Sequence, residues 1–159
     1  LGLAFVTVIG QCMGADDTDA AEYYMKKLLR ITFLASVLWN GLILLATPVI
    51  LKGYALSAEA ADLVVILVII HNLFNALFYP LSGALSNGLR AAGDVKFTMY
   101  VSLFSTIGCR VVFSILFGIW MNLGVIGIAL AMGLDWVIRA VFFWVRFRRG
   151  RWKQFRVIA

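Results

Sequence analysis

Four stretches of this chain, residues 31–51, 63–89, 97–123 and 125–145, are apolar almost without interruption. The first two hold no charge, the third only Arg110, and the fourth only Asp135 and Arg139. At about 1.5 Å per residue, each can cross a hydrocarbon core of about 30 Å as a helix. A soluble core cannot absorb such runs. Composition agrees: 63% of the chain is hydrophobic and 14% charged, against roughly 45–50% and 25% in soluble domains. The expected fold class is all-α, a polytopic transmembrane helix bundle.

Residues 1–13 form a fifth apolar run, roughly 20 Å as helix, too short to span. It reads as the truncated end of a helix that begins upstream, so the chain is expected to be a C-terminal fragment. The spans at 63–89 and 31–51 each contain a proline, Pro80 and Pro48. A proline removes a backbone donor. Pro80 loses the bond to the Ala76 carbonyl, and Ser82, Gly83 and Ser86 soften the next turn, so Pro80 is the expected hinge. Pro48 is expected to kink or end its helix.

The connections carry the remaining signals. Residues 20–30 read as an amphipathic, interfacial lead-in, with Thr18 or Asp19 as its N-cap. In the 52–59 connection, Gly53 breaks the helix and Ser57 caps the next one. Asn122-Leu123-Gly124 is a tight turn. Residues 146–159 form a basic tail. Lys and Arg number three in 17–30, two in 90–96 and six in the tail, but one in the 52–59 connection and none in the Asn122 turn. The basic connections alternate with the poor ones, which places the basic set and the tail on the cytoplasmic side. Beside apolar spans, a basic tail points to topology and anionic membrane lipid rather than nucleic acid. Trp120, Trp144 and Trp152 fall near the expected interfaces.

Charges within a span are costly unless paired or facing water. Arg110, Asp135 and Arg139 therefore stand out as an intramembrane charge cluster. The last two spans are joined by a tight turn and are expected to be antiparallel neighbours. Asp135 could then reach Arg110 across the interface, or Arg139 one turn along its own helix. The cluster reads either as a structural lock between helices or as a gating or coupling site. His71, Asn72 and Asn75 form a second polar group, with Asn40 a further candidate for the same cavity. They read either as interhelical hydrogen-bonding groups or as pathway residues, His71 being able to titrate near neutral pH. Small residues at four-residue spacing, Gly127 with Ala131, Ala129 with Gly133 and Ala84 with Gly88, permit close helix approach.

Cys12 and Cys109 have no metal-site spacing. With one His and isolated carboxylates, there is no nucleophile–base pair, metal set or nucleotide-binding loop. An enzyme and a resident cofactor are not expected.

The motif Ala84-Leu85-Ser86-Asn87-Gly88-Leu89-Arg90-Ala91-Ala92-Gly93-Asp94-Val95-Lys96-Phe97-Thr98-Met99 resembles a helix junction of MATE transporters, the multidrug and toxic compound extrusion family. Gly10-Gln11-Cys12-Met13-Gly14-Ala15 resembles the end of that family's helix 8. Asp135-Trp136, Arg139 and the basic run from Arg146 to Lys153 resemble its last helix and exit. The resemblance covers nearly the whole chain. It implies the end of helix 8 plus helices 9 to 12 of a twelve-helix protein, the larger part of one lobe. It further implies a multi-pass protein of a prokaryotic plasma (inner) membrane that exports organic, often cationic, small molecules in exchange for Na+ or H+. The missing N-terminal helices of the same polypeptide are then its necessary partner. One branch carries a cation-binding carboxylate in helix 10, and residues 63–89 contain none, so His71 and Asn75 substitute by position only. A flippase of the same superfamily, for lipid-linked or polysaccharide substrates, and a non-transporting membrane scaffold are the alternative readings.

Overall fold

The structure is a computed structural model and describes residues 1–54 and 57–155. Among these residues there are five main helices and no strand. They are α1 (Gly2–Gly14), α2 (Thr18–Lys52), α3 (Ala58–Ala91), α4 (Val95–Trp120) and α5 (Gly124–Arg148). A short 3₁₀ turn, Arg151–Gln154, follows α5. The last four main helices are long and apolar enough to cross a membrane.

α2 begins one residue earlier than Thr18 would give as its cap. Asp16 takes a left-handed φ of 57°, and the Asp17 carboxylate accepts the Ala20 amide at 2.9 Å. No glycine or proline separates the amphipathic lead-in from the apolar span, so both run as one helix of 35 residues. That helix continues through Pro48 rather than ending there. Ser57 caps α3, accepting the Ala60 amide at 3.4 Å. The 52–59 connection includes residues 55 and 56, which lie outside the described residues.

α3 remains helical through Pro80. The proline keeps helical angles (φ −56°, ψ −38°), and residues Pro80–Ala84 widen into a π turn. The missing hydrogen bond is thus absorbed by one wider turn. α4 contains two further π segments, Phe104–Val111 and Leu116–Trp120. Gly93, at φ 92°, separates α3 from α4. Asn122 and Gly124, both at φ 53°, make the turn between α4 and α5.

α5 packs against both α3 and α4. Its small residues allow this. A Cβ on Gly127 would lie 2.6 Å from the Phe117 carbonyl carbon, and one on Gly133 would lie 2.6 Å from the Phe74 ring. α1 rests on α2 and on the last turns of α3. The compact apolar core, with Phe5, Met25, Leu89, Phe143 and Trp152 at its centre, sits where the start of α2, the α3–α4 junction and the end of α5 meet. All three basic connections therefore lie at one end of the bundle. Away from that end, the large apolar side chains point outward, among them Leu45 and Trp120. An exposed apolar belt of this extent is the pattern of helices that contact lipid or further membrane helices.

Two expectations for the tail change. α5 continues to Arg148, so Arg146 belongs to the helix rather than to a departing tail. Trp152 is fully buried instead of lying in an interfacial belt. Gly150, at φ 66°, turns the chain back. Trp152 then stacks on Phe147 and donates its indole N–H to the Phe147 carbonyl at 3.2 Å. Residues 156–159, the end of the expected tail, lie outside the described residues.

Candidate functional site

Between α2 and α3, near the middle of the bundle, lies a polar patch in otherwise apolar surroundings. α2 brings Ser36 and Asn40 to the α3-facing side by their four-residue spacing. The Asn40 amide donates to the Ser36 carbonyl at 2.7 Å and to Asn75 Oδ1 at 3.1 Å. Two residues 35 positions apart are thereby joined across the helices. Asn72 is buried and donates to the Val68 carbonyl at 2.8 Å. Its Oδ1 is buried without a hydrogen-bond partner. A buried acceptor left open costs free energy unless water or a ligand meets it.

A cavity of about 460 Å³ is lined by Asn40, His71, Asn72 and Asn75 together with Trp39 and Val68. A second, of about 320 Å³, shares Trp39, Asn40 and Asn75 and adds Thr32, Ser36 and Tyr79. Thr32 Oγ1 is a further buried group without a partner. His71 is exposed and stands edge-on to Trp136 of α5, with ring centroids 5.2 Å apart. The four residues singled out in the sequence, Asn40, His71, Asn72 and Asn75, thus share one cavity. Ser36 and Thr32 escaped notice because a lone hydroxyl in an apolar run carries no sequence signal. Their spacing ahead of Asn40, four residues each, was the only clue. Pro80 and its π turn lie one helical turn beyond Ala76 on α3, between this cavity and the basic end.

The charge cluster forms only in part. Asp135 is fully buried. It accepts from Arg139 one turn along α5 and from the Ser105 hydroxyl of α4. Ser105 also donates to the Asp135 carbonyl at 3.2 Å. Arg110 does not join them. It sits more than one turn beyond Ser105 on α4, level with Met132, and its guanidinium rests 3.2 Å from the Met132 sulfur. The partner that Asp135 finds across the interface is therefore Ser105. A hydroxyl is less conspicuous than an arginine in sequence, but antiparallel register decides which one faces the carboxylate.

A second buried ion pair was not foreseen. Arg146 of α5 holds Asp94, at the α3–α4 junction, through two hydrogen bonds of 2.6 and 3.2 Å. Its guanidinium also lies 4.6 Å over the Phe97 ring. Asp94 is almost fully buried at the α3–α4 corner, where Arg90 reaches Thr98 at 3.4 Å. The available signal was a single acid inside an otherwise basic connection. At the same end, Lys153 binds Glu22 at 2.5 Å, and Lys26 also reaches Glu22 at 2.5 Å. The Lys153 hydrogen bond, seconded by that of Lys26, lowers the Glu22 carboxyl to about 2. The same hydrogen bond raises Lys153 above its ordinary value.

Comparison with known proteins adds the following. The MatE family model matches residues 1–116. Among curated proteins, the chain is similar to an uncharacterized transporter, YisQ, of Bacillus subtilis (strain 168). The two are 30% identical over 153 residues, which cover 92% of this chain and 32% of the relative. The chain thus spans about a third of the length of this curated relative. No solved structure matches it.

Proposed function

The chain belongs to the MatE family, and on that footing we propose that it forms part of a secondary active antiporter. In this reading the whole protein exports organic, often cationic, small molecules in exchange for Na+ or H+. The observation that supports it is the cavity between α2 and α3. It gathers Asn40, His71, Asn72 and Asn75 in the apolar middle of the bundle and leaves Asn72 Oδ1 buried and open. Polar groups at membrane depth are costly and mark substrate or ion pathways.

The chemistry fits a weakly held cation. Asparagine amide oxygens offer acceptors without a fixed negative charge. An organic cation can then enter and leave without breaking a strong ion pair. α3 supplies three of the four residues, and its π turn at Pro80–Ala84 is the place where the helix would flex during alternating access. In this reading the protein sits in the plasma membrane of a prokaryote, with its basic connections and tail toward the cytoplasm, as the Lys and Arg asymmetry supports.

The test is flux. The full-length protein carrying this chain is reconstituted in vesicles, and a fluorescent organic cation is followed under imposed Na+ or H+ gradients. Gradient-dependent movement is expected. Its absence with both ions overturns the antiporter reading. A Pro80→Ala variant with unchanged flux and unchanged accessibility labelling would remove the π turn from the cycle.

A further inference from the structure

A larger cavity lies away from the polar patch. It is a groove of about 1050 Å³ at the basic end, between α2, α3 and α5. Its chemistry is divided along its length. Lys26, Arg30, Arg148, Arg149 and Lys153 surround the mouth, while Leu34, Leu77, Leu81, Trp144 and Phe147 form the deeper wall. Among the described residues, the only carboxylate lining it, Glu22, is already engaged by Lys26 and Lys153. Among the described residues, Arg30, Arg148 and Arg149 have no carboxylate partner. Arg148 lies 5.0 Å over the Trp144 ring, at the border between the charged mouth and the apolar wall.

We propose that this groove seats an anionic glycerophospholipid, its phosphate among Arg30, Arg148 and Arg149 and its acyl chains along Leu34, Leu77 and Leu81. Charge complementarity selects the headgroup, because three guanidinium groups without a carboxylate partner among the described residues can bind phosphate oxygens. The apolar wall selects a lipid over a soluble anion, which would leave that wall wet. The order of the two zones matches a bilayer. The cations lie at helix ends, where basic pockets between membrane helices take anionic headgroups. Leu34 is one turn deeper on α2 and points outward, 64% exposed. The proposal requires only that the helices cross a membrane. It does not depend on the antiporter reading, and flux and lipid binding fail or succeed separately.

The experiment uses the full-length protein in a zwitterionic detergent, titrated with phosphatidylglycerol, phosphatidylcholine or inorganic phosphate and followed by native mass spectrometry. Phosphatidylglycerol should occupy the tightest site about tenfold or more ahead of phosphatidylcholine, and millimolar phosphate should not displace it. The Arg30→Gln, Arg148→Gln, Arg149→Gln variant should lose affinity by roughly fivefold per charge removed. Lys52→Gln and Lys96→Gln, outside the groove, should bind as the parent does. Equal binding of the two lipids, displacement by inorganic phosphate, or an unchanged triple variant overturns the proposal. If the triple variant fails to fold, the comparison of the three ligands on the parent protein decides alone.

Discussion

Arg146, at the end of α5, grips Asp94 at the α3–α4 corner through two hydrogen bonds of 2.6 and 3.2 Å. The two residues are 52 positions apart and both largely buried. The pair ties the last helix to the junction between the two before it. Breaking one side of a buried pair leaves the other charge stranded, at a cost of about 3–5 kcal/mol. Asp94→Asn and Arg146→Gln should each lower thermal stability of the purified protein by that order. Arg146→Lys should recover little, because an ammonium lacks the two-point fork and the ring contact with Phe97. A lysine variant as stable as the parent would show that charge alone matters here.

Asp135 should couple to Arg139 and Ser105 but not to Arg110. Contacting residues show interaction energies of about 0.5–3 kcal/mol in double-mutant cycles, and separated residues add within about 0.5 kcal/mol. Cycles built from Asp135→Asn with Arg139→Gln, and with Arg110→Gln, can be read from denaturation in detergent. Strong coupling to Arg110 would contradict the observed register. If Asp135→Asn keeps stability but abolishes flux, the pair takes part in transport. Loss of stability with it marks a helix lock.

Gly127 should be the least replaceable glycine of α5. An added Cβ would meet the Phe117 carbonyl carbon at 2.6 Å and the Gly118 nitrogen at 2.8 Å. Both are backbone atoms, so the helices themselves must separate. Overpacking of this kind costs about 1–3 kcal/mol. Gly41→Ala is the control, since nothing lies within 4 Å of its added Cβ. It should be neutral or stabilising by up to about 1 kcal/mol, from the higher helix propensity of alanine.

The contact between Glu22 and Lys153 should depend on pH in a defined window. Glu22 is lowered from 4.5 to about 2, so its contribution is complete above 4.5 and fades as pH falls toward 2. Lys153 is raised from 10.5, so its contribution is complete below 10.5 and fades as pH rises through the higher folded value. The 3₁₀ turn should therefore stay docked between about pH 4.5 and 10.5. A nitroxide on exposed Gln154 should gain mobility below that range, and Glu22→Gln should give the mobile signal at neutral pH. Both side chains are partly solvated, so the effect on global stability is small. A label equally immobile in Glu22→Gln would show that Trp152 alone holds the turn.

Asn75→Ala removes the cross-helix side-chain partner of the Asn40 amide, which keeps the Ser36 carbonyl and hydroxyl on its own helix. Loss of one such hydrogen bond costs about 0.5–1.5 kcal/mol. Stability should fall by no more than that, while gradient-driven flux of an organic cation should drop about tenfold, as removal of a positioning contact worth about 1.4 kcal/mol would give. Unchanged flux would take Asn75 out of the pathway.

What the sequence determined by itself is what depends on neighbours along the chain. Four long apolar runs require membrane-length helices, since no soluble core could bury them. Ser57 marks a cap, Asn122 and Gly124 mark a turn that needs positive φ, and the Lys and Arg asymmetry marks one end. The polar residues of α3 were also legible, because a histidine or asparagine within an apolar run is conspicuous wherever it points. What only the tertiary structure decided is which helix faces meet and at what register. Asp135 meets Ser105 rather than Arg110 because α4 and α5 run antiparallel with that offset. Arg146 meets Asp94 because α5 extends beyond its apolar run and packs beside the α3–α4 corner. Trp152 is buried because Gly150 reverses the chain onto Phe147. Each of these contacts joins residues whose relative positions are set by packing between helices, and local periodicity holds no record of that packing.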